Sequence, residues 1–482
     1  MQLILQALDL GLDKDPRVMA LINCVIRNPY DREKIALLSK IVKPKLVHKI
    51  VFGKPFKDLD ETVDGEIRIA TTESGLPVGF NPDEPHCLIA GQTNCGKTVL
   101  LNFILGQAMM KGHIVWLFTK APDSRNLLKI TKEILVVDFN GQIRFNFMLP
   151  PPDVDVAQWI NITSDIFTQA YSLYDGTKNY LIDTQRYLFE RNQTPTIFDL
   201  YRFLKSQKFP QMSRFARYNE STINRYGGVI SGMGRTFIAP YIPLEELAKR
   251  NAIFEISGLT AEQQSYTVNT LLTWLFYYKL NSNSLVYHFV GIDDANLILQ
   301  ASYEYRPDRG LPIISHLLST IRKSKVNVIA ATQIPHQLGA SIHSNAFTKI
   351  IFSLANGKDI ECMARSIGIK EPDQIQYLHR LAKREIVVKF SGRYQEPFLA
   401  YVPEIDIFNG EISDEEIYTN NERILSSIPV INPPKTQTTE EETAGKTEGP
   451  ELTPEEIAFL WDIVNRPYIS VTERYRTINL ER

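Results

Sequence analysis

Residues 86–112 read HCLIAGQTNCGKTVLLNFILGQAMMKG. HCLIA (86–90) is a short apolar run of the kind a strand shows when both its faces are buried. VLLNFILGQAMMKG reads as a helix that Gly112 stops. Between them GQTNCGKT (91–98) fits G-x-x-x-x-G-K-[ST]. Gly91 and Gly96 let the backbone curl so that its N–H groups converge on one point. The helix N-terminus adds its partial positive charge there. Gln92, Thr93, Asn94 and Cys95 complete a loop shaped for a phosphate. Lys97 is expected to reach the β- and γ-phosphates of ATP, and the Thr98 hydroxyl to ligate Mg²⁺. Asn94 stands where many such loops carry Gly, and Asn is the non-glycine residue that best tolerates a left-handed backbone. Cys95 reads as a small space-filler. The plainer alternative is an ordinary strand–turn–helix corner with a surface lysine.

Outward from this loop the chain alternates short apolar runs with helical stretches. The runs are HIVWLFT (113–119), EILVVDF (133–139), NAIFEIS (251–257), LVYHFVGI (285–292), VNVIAAT (326–332) and KIIFSLA (349–355). Several are continuous and rich in Val, Ile and Phe, as in a parallel sheet covered by helices. The expected fold is α/β: a P-loop NTPase with a mostly parallel sheet flanked by helices. REIVVKF (384–390) and FLAYV (398–402) add two strands. Residues 61–150 and 230–408 would form this motor domain.

The alternation breaks between 151 and 229, where helical patterns such as TIFDLYRFLKS suggest an all-helical insertion. Residues 1–60 begin with a helical segment. An acidic and flexible linker is expected over 409–452, because NPPKTQTTEEETAGKTEGP (432–450) has almost no apolar residue. Residues 453–482 carry two capping boxes, Thr453–Glu456 and Ser470–Glu473, and read as a partial helix-turn-helix or a tethered docking peptide for a partner protein.

Two further strand ends carry polar residues. LVYHFVGIDD closes on Asp293 and Asp294, at the strand edge where a parallel sheet binds its ligands. Asp293 would hold Mg²⁺ through water, and Asp294 would activate the attacking water. A helix N-cap is the plainer alternative. Asp294 stands where Glu is more usual. VNVIAATQ closes on Gln333, placed to sense a γ-phosphate; a plain strand terminus is the alternative. STIRKSK, just before that strand, holds Arg322, Lys323 and Lys325. A solvated charge run is the plain reading. The sharper one is that Arg322 is an arginine finger reaching a neighbouring subunit's γ-phosphate.

Composition narrows the classes further. Across 482 residues, 44% are hydrophobic and 22% charged, which excludes wholesale disorder. Lys and Arg number 53 against 55 acids, which excludes a uniformly basic nucleic-acid coat but not a local patch. No apolar run approaches the ~20 residues of a membrane span. The four cysteines form no CxxC pair, so a reduced, cytoplasmic protein is expected. One local patch is YRFLKSQKFPQMSRFARYNESTINRY (201–226), with six basic residues, one acid and six aromatics interleaved. A helical surface with inward-packed rings is equally consistent. Lys43 to Lys57 is a second basic stretch.

With these pieces the chain resembles the HerA/FtsK superfamily of P-loop motors, which includes the type IV coupling proteins. The matching blocks are GLPVGFNPDEPHCLIAGQTNCGKTVL, GHIVWLFTK, VGIDDANLIL and IRKSKVNVIAATQIPHQLGASIHSNAFTKIIFSLA, spanning about 65–150 and 230–405. The resemblance implies an ATP hydrolase that forms a ring, usually a homohexamer, and pumps duplex or single-stranded DNA through a central pore. It implies that Gly91 to Thr98 are the Walker A loop, Asp293 and Asp294 the Walker B acids, Gln333 the sensor and Arg322 the trans-acting arginine. The all-helical insertion looks like that of coupling proteins. Two other expectations stay open: a same-fold ATPase driving protein secretion or packaging, and a nucleotide-controlled assembly scaffold with little turnover.

Overall fold

A computed structural model describes residues 2–9, 12–52, 54–56, 59, 63–210, 212–282, 284–301, 313–320, 324–405 and 410–432, without the side chains of 2, 9, 44–52, 297, 316 and 320. The chain divides into two units, Met1–Pro433 and Pro434–Arg482. The second lies outside the described residues, and with it the two expected capping boxes. Arg322 and Lys323 also lie outside them.

Eleven strands form one sheet: β1 (Ile67–Thr71), β2 (Pro77–Phe80), β3 (Cys87–Ala90), β4 (Ile114–Thr119), β5 (Ile134–Val137), β6 (Asn251–Glu255), β7 (His288–Ile292), β8 (Val326–Thr332), β9 (Thr348–Ile351), β10 (Glu385–Phe390) and β11 (Tyr394–Tyr401). Their order is β2-β1-β11-β10-β9-β3-β8-β7-β4-β6-β5. The seven strands from β9 to β5 are parallel. β10, β11, β1 and β2 extend the β9 side with antiparallel pairs. The sheet is therefore mostly parallel, as the buried apolar runs require, and each run contains its strand.

The period of two along each strand divides the core between the faces. Leu88 and Ala90 of β3 join one cluster with Trp116, Phe118, Val290 and Ile292. Cys87 and Ile89 join the other with Leu100, Leu101, Ile104 and Leu105. Those three leucines and one isoleucine lie on the helix that follows the loop.

The helices up to residue 233 are α1 (Gln2–Asp9), α2 (Pro16–Arg27), α3 (Arg32–Phe52), α4 (Lys97–Met110), α5 (Val156–Ala170), α6 (Asp175–Arg191), α7 (Ile197–Ser206) and α8 (Arg214–Met233). The first three share a small core of their own, including Ile4, Ile22 and Leu38. α4 packs on the sheet and ends just before Gly112, whose φ of +81° turns the chain toward β4. α5 to α8 fill the interval where the apolar alternation breaks, and α8 runs past residue 229.

One expectation is corrected. The acidic stretch inside 409–452 is not all linker, because Asp414–Leu425 forms a helix. Ser413 caps it, accepting from the Glu416 N–H, and Asp414, Glu415 and Glu416 sit in its first turn. Acids there complement the helix dipole rather than mark a solvated chain. Ile417 and Ile424 are buried, and Asn421 both accepts from the Val136 N–H and donates to the Val136 carbonyl of the edge strand β5. Tyr241 and Ile431 then pair as an antiparallel bridge.

His86, at the foot of β3, is 2% exposed, and its Nδ1 accepts from the Val328 N–H at 3.0 Å. Burial lowers its pKa to about 4. The unfolded chain therefore binds the proton first. Stability should fall as pH drops from 6.5 toward 4, by about 3 kcal/mol from this group. His288 is buried and lowered to about 3, mainly by burial, and acts in the same direction. Melting temperatures across pH 7 to 4 check this, and His86→Gln should flatten the fall; an unchanged slope in that variant contradicts the assignment.

Candidate functional site

β3 sits between β9 and β8, so the loop after Ala90 is anchored to both neighbours. The Gly91 N–H donates to the Thr332 carbonyl at 3.2 Å and the Gln92 N–H to the Ser353 carbonyl at 2.8 Å. A Cβ at Gly91 would lie 2.6 Å from the Phe352 Cβ and 2.7 Å from Cys95 Sγ, so only glycine fits. Asn94 takes φ +61° and Gly96 φ +106°, the left-handed turn that delivers the chain into α4. Gly96 caps α4 with no side-chain bond to its first N–H groups. Those donors remain directed at whatever occupies the loop.

A cleft of about 510 Å³ opens over this loop, and Thr93, Lys97, Thr98, Asp293, Asp294 and Gln333 all line it. Strand order explains the meeting. β8 is next to β3 and ends one residue before Gln333; β7 is next to β8 and ends one residue before Asp293. Most of the expected groups interlock directly. Thr98 Oγ1 donates to Asp293 Oδ2 at 3.2 Å. Gln333 donates through Nε2 to Asp294 Oδ1 at 3.1 Å and accepts through Oε1 from Thr93 Oγ1 at 2.8 Å. Asp293 is held by its own N–H, which donates to the Phe118 carbonyl of β4 at 2.9 Å.

Asp294 precedes a short 3-10 turn, Ala295–Leu297, but its side chain makes no cap bond. Its carboxylate is turned to Gln333 instead, which removes the N-cap alternative for this residue. Its φ is +54°. Asp tolerates that region better than most residues, which gives a backbone reason for Asp at this position.

The electrostatics suit a triphosphate and a divalent cation. Lys97 is 6% exposed, and its Nζ donates to the Gln92 carbonyl at 2.7 Å, a neutral acceptor. Burial pushes its pKa down, while Cys95, Asp293 and Asp294 pull the other way. Burial and the neighbouring Asp294 raise Asp293, against the Thr98 hydrogen bond and Lys97. A buried ammonium bonded to a neutral carbonyl is ready for an anion, and a buried Asp293 beside a half-buried Asp294 is ready for a cation. Thr98 and Asp293 are the residues that would hold Mg²⁺.

Lys120 and Asp123 also line the cleft, and sequence reasoning missed both. Their signal is weak: LFTK places one lysine at the C-terminal end of β4, on the same sheet edge as Asp293. The neighbouring end of β6 carries Glu255, held by the Arg125 guanidinium, which also meets Asp414 at 2.7 Å.

The basic and aromatic stretch 201–226 falls on α7, α8 and the turn between them. Arg202, Lys205, Lys208, Arg214 and Arg217 are at least partly exposed. Its rings divide. Tyr226 is buried and stacked on Phe167 at 4.3 Å between centroids. Phe215 is 57% exposed. Among the described residues no helix is long and apolar enough to cross a membrane.

No protein-family model and no curated protein sequence matches this chain. Solved structures do. VirB4 of Thermoanaerobacter pseudethanolicus is 12% identical with a TM-score of 0.57, over 72% of this chain and 98% of that one. The plasmid coupling protein TrwB in complex with ADP and Mg²⁺ is 13% identical with a TM-score of 0.56, over 76% and 98%. TrwB with a non-hydrolysable ATP analogue is 14% identical with a TM-score of 0.55, over 73% and 96%. The chain shares the fold of these VirB4 and TrwB structures, with a P-loop at the end of β3.

Proposed function

We propose that this chain is an ATP-driven DNA translocase that hydrolyses MgATP at the subunit interfaces of a homohexameric ring. One observation carries the reading: the loop 91–98, the Asp293–Asp294 pair and Gln333 converge on one cleft and are already hydrogen-bonded to one another. The fold shared with nucleotide-bound TrwB supports it.

In this reading the loop N–H groups and the Lys97 ammonium bind the phosphates, Lys97 exchanging the Gln92 carbonyl for phosphate oxygens. Mg²⁺, held by Thr98 and Asp293, would neutralise charge on the β- and γ-oxygens. Asp294 orients the attacking water and accepts its proton. Gln333 releases Thr93 or Asp294 when a γ-phosphate is present, so its hydrogen bonds differ between the ATP and ADP states. Arg322 supplies positive charge to the neighbouring subunit's γ-phosphate as it leaves. DNA lies in the pore, held through its phosphates without sequence preference.

ATP turnover with and without long duplex DNA tests the proposal. Stimulation by DNA and a ring in the presence of nucleotide are the expected results; neither occurring would overturn it. The basic face of α7 and α8 makes a further prediction. Arg214→Ala with Arg217→Ala should weaken DNA retention and reduce the salt slope by about 0.9 for each DNA phosphate that is no longer neutralised. A wild-type chain that retains no DNA even at low salt would favour a same-fold motor acting on protein. Nucleotide binding without any turnover would favour the assembly scaffold.

A further inference from the structure

A second cleft, of about 640 Å³, opens between the helices Ala340–Asn345 and Gly357–Ile367. It shares no lining residue with the nucleotide cleft. Lys349 of β9 lines it and is 7% exposed. Its Nζ donates to the Ser366 carbonyl at 3.1 Å, one neutral acceptor for a group with three donors. No carboxylate forms an ion pair with it among the described residues. Burial, with Lys389 nearby, holds its pKa below the ordinary lysine value.

The other charges around this cleft leave a surplus of one sign. Glu361 is engaged by Arg365 at 3.0 Å, and Asp359 meets the His336 ring at 2.7 Å, which offsets its charge only when protonated, so Lys349, Lys358 and Arg365 still outnumber the two acids. Lys358, exposed at the rim, has no acid partner among the described residues. Neither Lys349, buried within, nor Lys358, at the mouth, forms an ion pair among the described residues. Ser344 and Ser366 line the same space. A buried cation without a counter-charge is costly unless something completes it.

We infer that this cleft binds a phosphate-class oxyanion, held by Lys349 within and Lys358 at the rim. Its wall includes His336 and His343, on the segment that leaves the end of β8 just after Gln333. An occupant therefore braces the segment that follows the sensor position. Free phosphate and the backbone of a nucleic acid carry the same group, and the test separates them.

The test is equilibrium dialysis of labelled inorganic phosphate against the full chain carrying Lys97→Ala, which blunts the nucleotide loop. One phosphate per chain should be retained. Adding Lys349→Met should weaken it about tenfold, and Lys358→Ala about threefold, as expected for losing a buried and an exposed charge-assisted bond. Should Lys349→Met lose its circular-dichroism spectrum, Lys358→Glu gives the same reading by placing an acid at the mouth. No phosphate retained by the Lys97→Ala chain, or retention unchanged by Lys358→Glu, overturns the proposal. With binding established, displacement by a short single-stranded oligonucleotide identifies the nucleic-acid backbone as the source, and failure to displace identifies the free ion.

Discussion

Lys97→Ala is expected to abolish ATP turnover, by at least about 10²–10³-fold, and to weaken nucleotide binding with it. The side chain is buried against the loop and its ammonium feels the carboxylates of the same cleft. Removing it takes away the cation that the loop places among its own N–H donors. Alanine is a good helix former at the first position of α4, so the fold should survive. Phosphate-release kinetics and a nucleotide titration on the same preparation check both halves. Turnover close to wild type would mean that the cleft is not where ATP is hydrolysed.

Arg322→Ala should behave differently. It is expected to reduce turnover by about 10³–10⁵-fold while leaving nucleotide affinity nearly unchanged, because a trans-acting arginine acts on charge that develops as the γ-phosphate leaves. A mixing experiment sharpens this. Lys97→Ala chains have an intact Arg322, and Arg322→Ala chains have an intact loop. A composite interface between the two restores a complete site, so the mixture should recover turnover that neither variant has alone. Loss of nucleotide binding in Arg322→Ala, or a mixture as inactive as its parts, would make Arg322 a structural residue or a plain surface charge.

The geometry also bears on Asp294. Its left-handed backbone and its bond to Gln333 place a short carboxylate against that amide side chain. Asp294→Asn keeps that hydrogen bond available and removes the base. Its expected signature is retained MgATP binding with lost hydrolysis.

Much of the cleft was legible because a strand buried on both faces leaves a simple trace. A continuous apolar run ends abruptly on a glycine or a polar residue, and in a parallel sheet those ends share one edge. HCLIA before Gly91, VGI before Asp293 and IAAT before Gln333 are three such endings, and they meet at one cleft. Strand order was not legible. Nothing local in the sequence says that β7 lies between β8 and β4, or that β10, β11, β1 and β2 continue the sheet antiparallel beyond β9. For the same reason Lys120 carried no distinguishing mark: a lysine after a strand is common, and only the pairing of β4 with β7 brings it to the cleft. The helix Asp414–Leu425 was hidden by its composition. Three acids in its first turn resemble a solvated linker, and the residues that betray it, Ser413 before them and Ile417 and Ile424 on one face, are few. The Lys349 cleft was hidden for a further reason. Nothing local marks Lys349, the first residue of KIIFSLA, as buried; the place of β9 between β3 and β10 does so.

Calorimetric titration of MgATP into the wild-type chain is the most direct measurement. One nucleotide bound per chain, lost on Lys97→Ala and weakened without magnesium, is the expected result. Absence of binding to the wild-type chain, or equal binding to the Lys97→Ala chain, would contradict a triphosphate held by the loop at the end of β3.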